Sequence, residues 1–218
     1  MINLIIKDIL IQKRQLVFSL LYLGFMIIAF QSFGEIMFSA GIVAFIYMLS
    51  MTACASEDKV KSDIMLNSLP IKRVNIVLQK YISIYIYFIM GTISYIVFSK
   101  LLQFLQIPIK TYSLTLEVFL AGFMASSFMA GLYFPLYFKF GYMKMRIVNF
   151  ILFFLIFFGI SLLSKYIQGS TSLHFFYNIN VLWGNNKMLF IAVAALIFVT
   201  LMAISLGLAV YFYKKREF

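Results

Sequence analysis

Few side chains in this sequence could carry out catalysis. Its 218 residues include one histidine, His174, and one cysteine, Cys54, which excludes a thiol redox pair and disfavours histidine-based catalysis and metal sites. The sequence contains no GxxxxGKS/T phosphate-binding loop and no HExxH motif. We therefore expect no catalytic residue, no metal and no cofactor on this chain, and transport or binding is favoured over an intramembrane enzyme. Cys54 is expected to be a buried, small apolar residue.

Charged side chains concentrate in one interval, from Glu57 to Lys80, which carries eight of them. A charge at the centre of a bilayer costs at least about 2.5 kcal/mol, so this interval is expected to lie in water. Its middle predicts a short amphipathic helix, because Ser62 is a candidate N-cap and Pro70 disfavours a helical conformation in the residue before it. The apolar face of this helix is formed by Met65, Leu66 and Leu69.

Apolar runs on both sides of this interval predict membrane helices. Hydrophobic residues make up 64% of the chain and charged residues 11%, far below the soluble average of about 25% charged. Crossing a hydrocarbon core about 30 Å thick takes roughly 20 apolar residues. The runs that are long enough cover residues 16–33, 36–55, 81–99, 114–138, 147–166 and 188–211. The predicted fold is an all-α integral membrane protein with six transmembrane helices in a single domain, residues 1–218.

Two further segments are predicted to lie along the membrane surface. Residues 2–14 place apolar side chains, including Ile5, Ile6 and Leu10, on one side of a helix and basic side chains off it. This pattern predicts an interfacial helix, and the alternative is a simple extension of the first span. Residues 168–186 contain a middle stretch, LHFFYNINVLW at 173–183, that is too apolar to be simply solvated and too short to span. We interpret them as a re-entrant or interfacial outer segment.

The net charge of +11 is distributed as a topology signal rather than as a nucleic-acid-binding surface. Fourteen of the eighteen Lys and Arg residues share one side of the membrane if the N-terminus, residues 56–80, residues 139–146 and the C-terminus lie there. The positive-inside rule then makes both termini cytoplasmic and brings the basic excess to anionic lipid head groups. The short loop at 139–146 is a candidate second cytoplasmic contact, formed by Lys139, Lys144 and Arg146.

Polar residues within the predicted spans suggest a translocation path. Tyr85 and Tyr87 lie deep in the third span, where their hydroxyls either face a cavity or make ordinary interhelical hydrogen bonds. Glu117, at the outer end of the fourth span, is either a solvated interfacial residue or part of an exit path. The fourth span also has small residues at four-residue spacing, which predict close packing within the subunit or across a dimer. They are Ala121, Gly122, Ala125, Ser126, Ser127, Ala130 and Gly131.

The charged interval resembles the first cytoplasmic loop of ABC-2 type transporter permeases. The resemblance rests on Glu57 with Asp58, on the run LNSLPIKR at 66–73 followed by Ile76, Val77 and Lys80, and on the position of the interval between the second and third spans. In that family the loop contains a coupling helix that sits in a cleft of the ATPase subunit. The resemblance implies a docking surface formed by Glu57, Asp58, Ser62, Met65, Leu66, Leu69, Pro70 and Arg73. The charged residues Glu57, Asp58 and Arg73 are expected to orient the dock on the ATPase.

The same resemblance implies partners and two elements of the fold. A separate ABC ATPase, expected in two copies, would bind ATP and Mg, and a second permease copy, identical or paralogous, would complete the transporter. The N-terminal segment would be an elbow helix, and paired short helices would lie between the fifth and sixth spans.

The six-helix form resembles bacterial exporters of amphipathic peptides such as phenol-soluble modulins. This implies a location in the bacterial cell membrane and an amphipathic or hydrophobic peptide cargo, for which 26 Phe and 13 Met offer adaptable apolar surface. A self-protection pump that expels antimicrobial peptides or drugs fits equally well. The second class is a membrane sensor or immunity protein that binds its ligand without ATP and has no need of a docking loop.

Overall fold

The computed structural model describes residues 2–29, 34, 36–60, 62–68, 72–106, 114–167 and 187–216. All regular structure in these ranges is helical, which confirms the predicted all-α class for this part of the chain. The helices are α1 (Ile2–Ile11), α2 (Lys13–Ala29), α3 (Ile36–Lys59), α4 (Ser62–Ser68), α5 (Arg73–Phe104), α6 (Leu116–Ile167) and α7 (Lys187–Lys215).

Several of these helices are long and apolar enough to cross a membrane. Within the described residues there are four such candidates: Met37–Lys59, Arg73–Phe104, Leu116–Val148 and Ala195–Lys215. The bent pair α1 and α2 adds a fifth if it is counted as one span. The backbone of the predicted fifth span, 147–166, is helical as part of α6, but nearly all of its side chains lie outside the described part. The outer segment 168–186 lies outside the described residues altogether. Multi-pass character is therefore confirmed, and a total of six spans stays a prediction.

The N-terminal helix α1 is distinct from the first apolar run. Residues Leu4–Ile11 and Lys13–Ile28 meet at a bend of 68°. Ile5 is buried, with Asp8 and Gln12 one and two turns further along, whereas Ile6 and Leu10 are exposed. Ile5, Ile6 and Leu10 were predicted to share an apolar side that faces lipid, but Ile5 packs inside the protein while Ile6 and Leu10 are exposed. Ile5 lies on the same side of the helix as Asp8 and Gln12. Because those polar residues bind the neighbouring helices, Ile5 is buried with them.

The chain divides into two compact units, Met1–Lys139 with Ser205–Phe218, and Phe140–Ile204. In the first unit α2 packs on α3 and α5, α1 packs on α5, and α4 packs on α3. The buried side of α2 is formed by Ser19, Leu23 and Ile27, which are spaced by one helical turn each. Gly34, at a φ of 66°, lies in the turn between α2 and α3 and accepts a 3.2 Å hydrogen bond from the Met37 amide.

Two glycines allow helices of the first unit to approach closely. A Cβ atom on Gly122 would lie 3.0 Å from the ring of Phe38, and one on Gly91 would lie 3.0 Å from the ring of Phe45. Some of the small residues at four-residue spacing on α6 therefore pack within the subunit, because Ser126 and Ala130 are buried on the same side of the helix as Gly122. Ala121 and Ala125 are exposed instead.

The Gly91→Ala variant is expected to lose stability. Phe45 is fully buried and cannot easily move away, and overpacking a core typically costs about 1–3 kcal/mol. The better helix propensity of alanine offsets at most about 1 kcal/mol of this. Gly207→Ala is the matched control, because nothing lies within 4 Å of its added Cβ. Thermal unfolding of the detergent-solubilised chain should give a lower Tm for Gly91→Ala than for Gly207→Ala, and the reverse order would contradict this packing.

Helix α6 is interrupted at Gly141, whose φ of 73° and ψ of 170° are not helical. This region of backbone conformation is open almost only to glycine. A loop was predicted across residues 139–146, and that prediction is wrong. The chain is helical on both sides of Gly141, so a single residue provides the break.

Candidate docking site and buried ion cluster

A short helix, α4, is present where the docking helix was predicted, and it packs on α3, while its docking role stays a prediction. Ser62 is its first residue, and its buried hydroxyl has no hydrogen-bond partner among the described residues. The structure therefore does not show the predicted capping bond. The described part of α4 ends at Ser68, as expected from Pro70, although Leu69 and Pro70 themselves lie outside the described residues.

The apolar face of α4 is divided between two environments. Met65 is 60% exposed, whereas Leu66 is 2% exposed and belongs to the core. Because Leu66 holds α4 against the body of the protein, it cannot contact a partner unless α4 moves. Met65 remains available for docking, and Asp58, at the end of α3, is partly exposed.

Glu57, predicted to orient the dock, lies in a buried ion cluster with Lys7, Asp8 and Lys80. The Lys80 Nζ lies 2.7 Å from Glu57 Oε2 and 2.9 Å from Asp8 Oδ2. The Lys7 Nζ lies 3.0 Å from Glu57 Oε1 and 3.4 Å from Asp8 Oδ1. Three helices meet here: α1 supplies Lys7 and Asp8, α3 supplies Glu57 and α5 supplies Lys80. In this structure Glu57 therefore pairs within the chain.

Charge balance explains how the cluster tolerates burial. Two lysines face two carboxylates, so the four side chains carry no net charge. The side chain of Lys80 is 4% exposed and that of Lys7 is 26% exposed, so water reaches the cluster from the Lys7 side. Removing two opposite charges from water is expensive, and their attraction offsets this only when the contacts are close and further hydrogen bonds are made.

Glutamine side chains supply hydrogen bonds around the cluster. The Gln79 amide nitrogen donates to Asp8 Oδ2 and to the carbonyl oxygen of Leu4, at 3.3 Å for the latter. On the next turn of the same surface, Gln12 Nε2 donates to the Tyr87 hydroxyl at 3.2 Å. These bonds hold α1 along the first turns of α5.

The tyrosines proposed for a translocation path differ in their surroundings. Tyr87 is buried and makes the interhelical hydrogen bond to Gln12, the alternative that the sequence had left open. Tyr85 is partly exposed and stacks on Phe123, with the two ring centroids 5.4 Å apart. Glu117 is exposed in the first turn of α6, where a carboxylate is favourable, and its path role stays a prediction.

The beginning of α5 also binds α6 and α7. The Tyr81 hydroxyl lies 2.6 Å from Ser205 Oγ, and Ser205 donates to the carbonyl oxygen of Gly131 at 2.6 Å. At the first residue of α5, Arg73 Nη1 donates to the carbonyl oxygen of Lys214 at 2.8 Å, near the end of α7, where a cation is favourable. Arg73, predicted to orient the ATPase, thus already has a partner in the chain.

Replacing Ser205 by alanine is expected to destabilise the chain only modestly. The substitution removes the bond to Gly131 and the partner of Tyr81, and interhelical hydrogen bonds in membrane proteins average about 0.6 kcal/mol. Tyr81→Phe should have a similar effect, and the double variant should cost less than the sum because both remove one shared bond. Unfolding in a denaturing detergent would measure this, and fully additive losses would contradict the bond.

The residues of the predicted second cytoplasmic contact are divided between the two units of the chain. In the first unit Lys139 is exposed, with its Nζ 5.3 Å from the centre of the Phe212 ring. In the second unit Lys144 and Arg146 are exposed, and Arg146 helps to line a cavity of about 450 Å³. Their contact with a partner stays a prediction.

Sequence reasoning missed the ion cluster. The available signal was Asp8, an acidic residue within an otherwise apolar and basic helix. Elsewhere the sequence was a better guide, since Cys54 is fully buried as expected. Among the described residues no group of three or more His, Cys, Asp or Glu side chains could hold a metal ion.

Long apolar helices joined by a short, partly exposed helix define a multi-pass membrane protein with a candidate docking element between two of its spans. The profile of the family described as "ABC-2 family transporter protein" matches residues 3–214. The chain therefore belongs to the ABC-2 transporter family, and membership of this family implies a membrane subunit of an ABC transporter that has an ATPase partner. No match was found among curated proteins or solved structures.

Proposed function

We infer that this chain is the permease subunit of an ATP-driven exporter, with α4 as the element that docks on a separate ABC ATPase. One observation carries the proposal: α4 lies between two candidate spans, is fixed to α3 through buried Leu66, and presents Met65 outward. Family membership supports the ATPase partner. Two ATPase copies and a second permease copy would complete the transporter, with ATP and Mg bound by the ATPase.

Energetics favour an apolar dock. Moving a two-state transporter from 1:99 to 99:1 takes about 5.5 kcal/mol of differential interaction. Exposed ion pairs supply about 0–1 kcal/mol each, whereas a buried apolar side chain such as Met65 supplies about 1.5–3 kcal/mol. Apolar contacts would therefore supply most of the interaction free energy at the dock, and Asp58 would help to orient the permease and the ATPase.

The orientation of the first unit supports a shared cytoplasmic side. The hydrogen bond from Arg73 to Lys214 places the beginning of α5 beside the end of α7. The docking interval and the basic C-terminal residues are therefore at the same end of this unit, as the distribution of Lys and Arg requires. We place both termini in the cytoplasm and the chain in a bacterial cell membrane.

The proposed cargo is an amphipathic or hydrophobic peptide taken partly from the inner leaflet. The described helices carry many exposed apolar side chains, including Phe25, Phe104 and Phe128, and a cargo of this type could be accommodated without a charged binding site. The same surfaces suit contact with lipid, so the cargo has to be identified by experiment.

Affinity purification of the tagged chain from its native membrane tests this function. We expect mass spectrometry to find a P-loop ATPase in the recovered complex. We also expect its ATPase rate to change when a synthetic amphipathic helical peptide is added. Recovery of the chain alone, without nucleotide dependence, would overturn the proposal and favour a sensor that works without ATP. An ATPase that responds only to foreign antimicrobial peptides would favour the self-protection pump.

A further inference from the structure

We propose that Lys80, Asp8 and Glu57 are positioning residues, which join α1, the end of α3 and the beginning of α5 into one rigid base for α4. Within this base Lys80 bridges two helices, at 2.7 Å to Glu57 and 2.9 Å to Asp8. The use of the base in transport rests on the function proposed above.

The position of the ion pair in the chain is the first argument. Glu57 and Lys80 are at the two ends of the interval that contains α4, so their contact closes that interval into a loop with fixed ends. A force applied to α4 is then delivered to α3 and α5 together. Without this closure, the segments that flank α4 could absorb the displacement.

The participation of α1 is the second argument. Asp8 contacts Lys80, and Lys7 contacts Glu57, so α1 binds both ends of the closed interval. Gln79 adds a side-chain bond to Asp8 and a bond to the Leu4 carbonyl. The N-terminal helix therefore acts as a brace across α3 and α5.

Burial is the third argument. Asp8, Glu57, Gln79 and Lys80 are all buried, which protects the contacts from competing water and salt. The network is thus suited to holding a fixed geometry, unlike the solvent-exposed hydrogen bond from Arg73 to Lys214.

A triple variant, Asp8→Asn with Glu57→Gln and Lys80→Met, tests whether the ion pairs hold the three helices in place. Its effect cannot be ascribed to an unbalanced charge in the core, because all three substituted side chains are neutral. It removes the ion pairs without leaving a buried, unpaired charge, because Lys7 is partly exposed and can turn to water. Spin labels would be attached at Leu10→Cys and Val60→Cys, both exposed positions, in a Cys54→Ala background in lipid nanodiscs. Labels within α5, at Ile82→Cys and Ile93→Cys, provide the matched control.

We expect a narrow distance distribution between residues 10 and 60 in the parent chain and a broadened one in the triple variant, with the α5 pair unchanged. In the complex with its ATPase, transport of a fluorescent amphipathic peptide per ATP hydrolysed should fall by about tenfold, which is within the range for residues of a coupling network. Equal distributions and equal coupling in the two chains would overturn the proposal.

A measurement on the parent network covers the case in which the triple variant does not fold. The distance between residues 10 and 60 should stay the same in the nucleotide-free and vanadate-trapped complexes, because a rigid base moves as one body. A shift larger than the width of the distribution would overturn the proposal. If no ATPase is recovered, the proposed function fails, and the nanodisc comparison still decides whether the base is rigid.

Discussion

Replacing Lys80 with methionine is expected to destabilise the folded chain by about 3–5 kcal/mol, the typical cost of removing one partner from a buried ion pair. Asp8 and Glu57 would remain buried, and only Lys7 would be left to face them. This expected loss is several times that of Ser205→Ala, because an unpaired buried charge costs more than a lost neutral hydrogen bond. The measurement is reversible unfolding in a denaturing detergent, or Tm where unfolding is irreversible.

Lys100→Met is the matched control for this prediction. It lies on the same helix, is exposed, and should change stability by no more than about 0.5 kcal/mol. Equal stability of Lys80→Met and Lys100→Met would mean that the cluster does not form in the folded protein.

Replacing Met65 with aspartate is expected to weaken docking on the ATPase while the chain still inserts and folds. Met65 is exposed, so the folded chain alone loses little, but the complex loses an apolar contact worth about 1.5–3 kcal/mol. The apparent dissociation constant for the ATPase should therefore rise by about tenfold to a hundredfold. Titration of the purified ATPase against the chain in nanodiscs would measure the change.

Two neighbouring variants make this result specific. Met65→Leu keeps the apolar surface and should bind the ATPase like the parent chain. Leu66→Asp places a charge in the core and should reduce stability as well as docking. Unchanged binding by Met65→Asp would show that α4 does not dock through this residue.

The course of α5 shows how much of the fold the sequence could predict. The apolar run from 81 to 99 marks the part expected in the hydrocarbon core, but the helix extends from Arg73 to Phe104. Hydropathy detects contact with lipid, whereas a helix continues until a breaker stops it. No proline or glycine lies between Arg73 and Tyr81, so the earlier beginning could be anticipated from the absence of a breaker.

The ion cluster could not be predicted in the same way. Asp8 and Lys80 are 72 residues apart, and their pairing depends on the packing of α1 on α5. Glu57 resembled an exposed docking residue because charge alone does not reveal burial. Local pattern gave the position of α4, but only tertiary packing distinguished anchored Leu66 from exposed Met65.

The break at Gly141 could be predicted only in part from the sequence. A basic segment between apolar runs suggested a loop, yet one glycine with a positive φ is sufficient to interrupt the helix. A glycine signals freedom of the backbone without specifying how that freedom is used, so the sequence indicated an interruption near this position but not its form.

Helix α5 is longer than the hydrocarbon core of a membrane, so a small tilt of the helix displaces its far end. Its 32 residues extend for about 48 Å, some 18 Å more than the hydrocarbon core of a typical bilayer. A tilt of about 5° around one end of such a rod displaces the other end by about 4 Å, roughly the width of a methyl group. A small rotation applied near Lys80 would therefore shift the far end of the helix by a distance comparable to one side-chain methyl group, without any helix changing its internal structure.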